Sequence, residues 1–182
     1  MNIMNGIKDP VHSWIKFSDF EKNIINTKIF QRLRHISQLT AADTVFPGGC
    51  HSRFLHSIGV MHLAGIYVTE IIENTTKYPI DPDGKLLLSN RELWVQLARI
   101  AGLLHDIGHG PFSHAFDRAV YSEIYGILDG GHDQHRLKIL DLFTELFQKN
   151  DIDPSDIRRI WGHKLHHCSN LNSADNSNLN SP

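Results

Sequence analysis

Apolar positions along this chain fall into helical periods over most of its length. Residues 7–17 alternate only loosely around Pro10, which predicts a short hairpin or extended arm. Ser18-Asp19-Phe20-Glu21 has the form of a capping box and opens a helical region. Ile29, Leu33 and Ile36 recur at helical spacing, predicting a helix from Thr27 to about Leu39 with Gln31, Arg32, Arg34 and Gln38 on its other faces. Pro47-Gly48-Gly49 punctuates a loop before a long helix, from about Arg53 to Ile72. That helix is apolar nearly all round, the pattern of a buried central helix. Asp81-Pro82-Asp83-Gly84 marks a turn in a polar connection over 74–90. A second capping box, Ser89-Asn90-Arg91-Glu92, leads into a stripe of Leu93, Leu97, Ile100 and Leu104, terminated by Gly108, Gly110 and Pro111. Leu137, Leu140, Phe143 and Phe147 predict a helix from about His135 to Gln148. Asp153-Pro154 reads as a cap with Pro at the first position of a short helix to about Trp161.

The fold class these elements predict is all-α, a helical bundle with a short extended arm over residues 1–17 and the main domain over 18–162. Residues 163–182 are Asn/Ser-rich and poor in apolar side chains, so disorder is expected there. No internal repeat is visible. At 182 residues the chain is long enough for one well-buried core.

Composition narrows the function classes. Lys and Arg total 18 against 20 acidic residues, so no global positive field draws the chain to nucleic acid. Two cysteines, Cys50 and Cys168, make no disulfide framework. Neither a signal peptide at Met1–Gly6 nor an apolar run near bilayer length is read, so no membrane association and an intracellular location, cytoplasmic or nuclear, are expected.

Thirteen histidines are many for this length, and they cluster. The run from Gly102 to Asp117 holds His105-Asp106, His109, His114 and Asp117 where an apolar helix meets a Gly/Pro break. An imidazole beside a carboxylate suits a divalent metal of intermediate hardness. His109, His114 and Asp117 are candidate acid/base or phosphate-contacting groups; His114 and Asp117 also suit a plain cap after Pro111. His163 and His167, four apart, share a helix face if the tail is helical, but read best as an incidental His-rich terminus.

Together with Arg53-Phe54-Leu55-His56, Asp9-Pro10-Val11-His12, Phe30-Gln31-Arg32-Leu33-Arg34, Gln38-Leu39 and Val45-Phe46-Pro47-Gly48, this run resembles the HD-domain metal phosphohydrolases. The likeness is to their deoxynucleoside triphosphate triphosphohydrolase branch, which includes enzymes that couple a SAM domain to an HD domain. It spans roughly residues 7 to 140 and implies metal ligands at His56, His105 and Asp106. A divalent cation follows as cofactor: Fe, Mn, Zn or Ni, with Mg less suited as sole occupant. The resemblance further implies catalytic or triphosphate-facing roles for His109, His114, Asp117 and His132, with Asp117–His132 as a pair. Arg53 would reach a phosphate, or else form a surface ion pair. Gln38 and Leu39 would meet sugar and base, or in the case of Leu39 simply pack on the core. The implied reaction cuts a deoxynucleoside triphosphate into deoxynucleoside and triphosphate, by attack of activated water on the α-phosphorus with His132 assisting departure of the 5′-oxygen. The branch generally forms multimers, so a homo-oligomer is implied as well.

Two departures qualify these implications. The family's second Asp ligand lies in a later Asp-rich helix, and here Asp129, Asp133, Asp151, Asp153 and Asp156 sit in no comparable motif. The chain is therefore read as matching the N-terminal part of such enzymes. The alternatives are a catalytically incomplete remnant that binds metal, nucleotide or nucleic acid, or a phosphohydrolase for another nucleotide. Second, a regulatory nucleotide surface in the branch uses an Asp, a Gln and an Arg. Gln31 and Arg34 match, but the acidic position is Asn26, and Lys8 replaces a more usual amide. No activation by a guanine nucleotide is expected.

Overall fold

A computed structural model describes residues 5–77, 90–127 and 131–162. The expectations for the 81–84 turn, for Ser89, for Asp129 and Cys168, and for the tail with His163 and His167 lie outside the described residues. The described chain is mostly helical, with one two-stranded sheet at its start.

Strands β1 (Gly6–Asp9) and β2 (Ser13–Lys16) pair antiparallel, Gly6 opposite Lys16 and Asp9 opposite Ser13. The buried Asp9 carboxylate closes the hairpin by accepting the Val11 and His12 amides, both at 2.8 Å. Ile15 joins the main core directly. Helix α1 (Asp19–Ile25) starts on a complete capping box: the Glu21 amide donates to Ser18 Oγ at 3.2 Å, and the Ser18 amide donates to Glu21 Oε2 at 2.8 Å.

The helix expected over 27–39 is interrupted. Helix α2 covers only Lys28–Gln31, and a 3-10 turn over Arg32–His35 ends it. Ile36 is extended (φ −114°, ψ 114°), because the chain here pairs with the segment before the long helix. Ser37 bridges Ser52, the Gln38 amide donates to the His51 carbonyl at 3.0 Å, and the Arg53 amide donates to the Ile36 carbonyl at 2.8 Å. This non-local pairing overrides helical propensity and sets Gln38 opposite His51 and Ile36 opposite Arg53.

Helix α3 (Arg53–Lys77) and helix α4 (Arg91–Leu104) form the central pair. Ser52 precedes α3 and its hydroxyl accepts the Leu55 amide at 3.4 Å. The core joins Ile58 and Met61 of α3 to Leu97, Ile100 and Leu104 of α4, with Phe30, Phe54, Phe20 and Phe147 around them. Each such side chain contributes about 1.5–3 kcal/mol by burial. The pair approaches closely at Gly102, where a Cβ would lie 3.1 Å from the Val60 carbonyl oxygen and 3.3 Å from Ala64 Cβ.

Contrary to the all-round burial expected of α3, Ile66, Tyr67 and Ile71 are exposed: the helix outruns the elements that cover it. Contrary also to the reading that no run approaches bilayer length, Arg53–Asn74 is long and apolar enough to cross a membrane by length and composition. Its role in this fold is that of a core helix carrying buried Arg53 and half-buried His56. At the start of α4 the N-cap is Asn90.

A single turn, α5 (His114–Phe116), runs into a π-type segment over Asp117–Ser122. Helix α6 (Gly131–Asp141) starts before the expected His135 and ends early. Residues 142 and 143 turn through i→i+3 bonds, and α7 (Thr144–Gln148) follows. The break puts Phe143 and Phe147 together in the core and leaves Leu142 outside. Helix α8 (Pro154–Ile160) begins as expected, with the Asp153 side chain accepting the Ser155 amide at 2.8 Å.

Candidate metal centre

His56 sits on the first turn of α3 and His105 on the C-cap of α4, so the close approach at Gly102 brings the two imidazoles together. Their Nε2 atoms are 3.2 Å apart. His105 Nδ1 donates to the Gly102 carbonyl at 2.7 Å, which leaves the His105 Nε2 lone pair free for a ligand. Asp106 Oδ1 lies 3.3 Å from His105 Nε2, and Asp106 Oδ2 lies 3.6 Å from His56 Nε2. One ligand atom from each of His56, His105 and Asp106 falls within 4.8 Å of the others, a group able to hold a metal ion. Its two nitrogens and one carboxylate match a transition metal better than a purely oxygen-seeking cation.

The electrostatics prepare these ligands. Burial, then the neighbouring His105, lowers the His56 pKa and keeps its lone pair available. Burial alone raises the Asp106 pKa, but His105, Arg53, His109 and His56 together bring it below the usual carboxylate value. Arg53, 3% exposed, touches this carboxylate directly: its guanidinium donates to Asp106 Oδ2. The same group also donates to Ser113 Oγ, at 3.1 Å from Nε and 2.9 Å from the second terminal nitrogen. Arg53 is thus a buried partner of the candidate metal-ligand carboxylate. It is not a surface ion pair.

A second group adjoins the first. One ligand atom from each of His109, His114, Asp117 and His132 lies within 4.8 Å of the others. His132 Nδ1 is 2.5 Å from Asp117 Oδ2, which fixes the tautomer and aims Nε2 away from the carboxylate. His114 Nδ1 reaches the same oxygen at 3.3 Å, but its side chain is 76% exposed. His109 links the groups: its Nε2 lies 3.5 Å from Asp106 Oδ1, and its ring stacks on His132 at 4.0 Å. Burial, reinforced by Arg53, drives the His109 pKa down to about 3, so this ring is neutral. Among the described residues, buried His109 Nδ1, Asp117 Oδ1 and Gln38 Oε1 have no protein hydrogen-bond partner, capacity that a polar ligand can satisfy.

Local backbone makes this possible. Phe112 and Ser113 both have positive φ, 62° and 54°, and Ser113 is pinned there by Arg53 and by its own bond to the Ser37 carbonyl at 3.3 Å. At Gly108 a Cβ would fall 1.9 Å from the His132 carbonyl oxygen, so only glycine lets the start of α6 lie on the ligand loop.

The remaining expected residues are separately placed. Leu39 is exposed next to Gln38. Gln31 and Arg34 are joined, Arg34 Nε donating to Gln31 Oε1 at 2.7 Å, and Gln31 is tied in turn to the Ile25 carbonyl. Asn26 is the exposed C-cap of α1. The metal group gains no fourth protein ligand among the described residues. Sequence reasoning missed Ser113, Arg32, Tyr121 and Arg136, all of which bond to this region. A signal existed for Arg136, which follows His132 by four residues and so shares its helix face.

The HD domain model matches residues 53–174. Deoxynucleoside triphosphate triphosphohydrolase SAMHD1 of Bos taurus is 48% identical over 159 residues, 87% of this chain and 24% of the relative. The protein of that name from Homo sapiens is 40% identical over 154 residues, 85% and 22%. A homolog from Dictyostelium discoideum is 38% identical over 154 residues, 85% and 28%. The chain therefore spans about a quarter of the length of these relatives.

Proposed function

The chain belongs to the HD domain family, and on that premise we propose that it is a metal-dependent phosphohydrolase acting on deoxynucleoside triphosphates, releasing deoxynucleoside and triphosphate. One observation carries this reading: a three-ligand metal group and a His–Asp pair lie side by side, joined through His109. The names of the relatives support the substrate class.

His56, His105 and Asp106 would hold the cation, which when bound supplies Lewis-acid polarisation of a phosphoryl oxygen. Gly102 orients His105 through its carbonyl, and Arg53 with Ser113 orients Asp106. Asp117 holds the His132 Nδ1–H, so His132 Nε2 is the atom that carries a proton to the departing 5′-oxygen. His109, neutral and buried, is a donor or acceptor toward a phosphate without adding charge. Gln38, fixed opposite His51 by the 36–38/51–53 pairing and with a buried Oε1 that has no protein partner, is the polar group proposed to meet the sugar.

The test is elemental analysis of untagged protein beside a His105→Ala/Asp106→Ala variant, followed by chromatography of deoxynucleoside triphosphate incubations. Stoichiometric transition metal in the wild type alone, with release of deoxynucleoside and triphosphate, is expected. Equal absence of metal from both proteins defeats the reading. Metal without hydrolysis reduces it to a metal-binding remnant.

A further inference from the structure

The carbonyls of the ligand loop each have a donor, and several of these donors are side chains from distant parts of the chain. A helix C-terminus leaves its last carbonyls without intrahelical donors. At the end of α4, Ala101 accepts the Trp161 indole N–H at 3.1 Å, Gly102 accepts His105 Nδ1–H, and Leu104 accepts the Ile107 amide at 3.1 Å. Beyond the helix, the His105 carbonyl accepts the Arg136 guanidinium at 3.0 Å, and Asp106 accepts the His109 amide at 3.1 Å. Arg32 donates to both Ile107 and His109, the latter at 2.6 Å, and the Tyr121 hydroxyl donates to Gly108 at 3.3 Å.

Two of these donors form one unit. The Arg136 guanidinium lies over the Trp161 ring, 4.2 Å from its centroid, and Asp133 braces it at 2.8 Å. Their two bonds, to Ala101 and to His105, bracket the single turn whose Gly102 carbonyl orients the His105 imidazole. A planar guanidinium can stack and donate in its own plane at once, which an ammonium cannot.

We propose that Arg136 and Trp161 are a positioning pair: stacked on each other, they set the main chain from Ala101 to His105 and thereby the place of the His105 imidazole opposite His56. The pair acts through the main chain and touches no reacting atom. Its consequence for metal affinity rests on the metal-centre reading above; its effect on the loop does not.

Two measurements on the full chain test it, using Arg136→Ala, Arg136→Lys and Trp161→Phe. In metal-free protein, hydrogen exchange should rise about tenfold or more over residues 102–109 in both Arg136 variants, with the middle of α3 unchanged. Manganese affinity, followed by electron paramagnetic resonance, should weaken about 10–100-fold, the usual effect of losing a group that orients a metal ligand. Trp161→Phe keeps a ring under the guanidinium and loses only the indole bond, so it should fall between wild type and Arg136→Ala. Unchanged exchange over 102–109 overturns the proposal, as does a uniform loss of protection across all helices. If Arg136→Ala does not fold, Arg136→Lys and Trp161→Phe decide by the same criteria. A wild type that binds no manganese defeats the metal reading, while the exchange data still decide the positioning pair.

Discussion

Arg53 and Asp106 face each other inside the molecule, and the guanidinium that holds the Asp106 carboxylate is itself held by Ser113. Removing one partner from a buried ion pair leaves the other charge uncompensated, at a cost of about 3–5 kcal/mol. Arg53→Ala should lower stability by that order without any nucleotide present. Arg53→Lys should also destabilise, because one ammonium cannot serve both Asp106 and Ser113. Urea denaturation of metal-free protein measures this. A guanidinium used only for phosphate contact would leave the curve in place.

On the proposed function, His132→Gln and Asp117→Asn should reduce deoxynucleoside triphosphate hydrolysis by about 10²–10⁴-fold, the usual share of a general acid and its orienting partner. Metal content should stay at the wild-type level, since neither residue belongs to the His56–His105–Asp106 group. His114→Ala should have the smaller effect, as His114 is exposed and its bond to Asp117 is longer. Initial rates and metal analysis on the same preparations separate these outcomes.

Gly108→Ala should destabilise by at least about 1–3 kcal/mol, the range for forcing extra volume into a packed site. The added methyl would meet the His132 carbonyl oxygen at 1.9 Å and the Arg136 nitrogen at 2.8 Å, both of them main chain that cannot rotate away. Gly48→Ala, whose Cβ would meet only the Phe46 side chain at 3.4 Å, is the matched control. Comparable melting temperatures for the two variants would contradict the tight seating of α6 on the loop.

His62 and His135 both have pKa values lowered in the folded chain, mainly by burial, with His12 acting on the first and Arg32 on the second. Below about pH 6.5 the unfolded chain protonates these rings while the folded chain still resists. The unfolded state then binds more protons, so stability is lost as pH falls through that value. Urea midpoints at pH 8 and pH 5.5 should differ less in a His62→Gln/His135→Gln variant than in the wild type. An equal difference in both proteins would remove these two histidines from the acid sensitivity.

The helices were legible in the sequence where their own residues decide them. The Ser18 box, the Asp153-Pro154 start and the stripe ending at Leu104 all depend on contacts a few residues apart. The helix expected to Leu39 failed because Ile36 and Gln38 take partners from residues 51–53, and helical periodicity carries no trace of such pairing. In the site, the residue types and order of His56, His105 and Asp106 were readable from the family likeness. Arg53 was singled out, but its partner was not, since nothing local indicates that Asp106 and Ser113 will enclose it. Arg32, Tyr121 and Arg136 escaped notice because they act on main-chain carbonyls, which look alike in every sequence.

Those carbonyl bonds also bear on how the molecule folds. Arg32 reaches His109 across 77 positions, Trp161 reaches Ala101 across 60, and Arg136 reaches His105 across 31. Contacts closing such long loops form late and slow the approach to the native state. The ligand loop should therefore be among the last parts to take its final shape, after residues as distant as 32 and 161 have docked on it. Cation uptake during refolding should lag behind the appearance of helix, acting as a clock for completion of the whole domain.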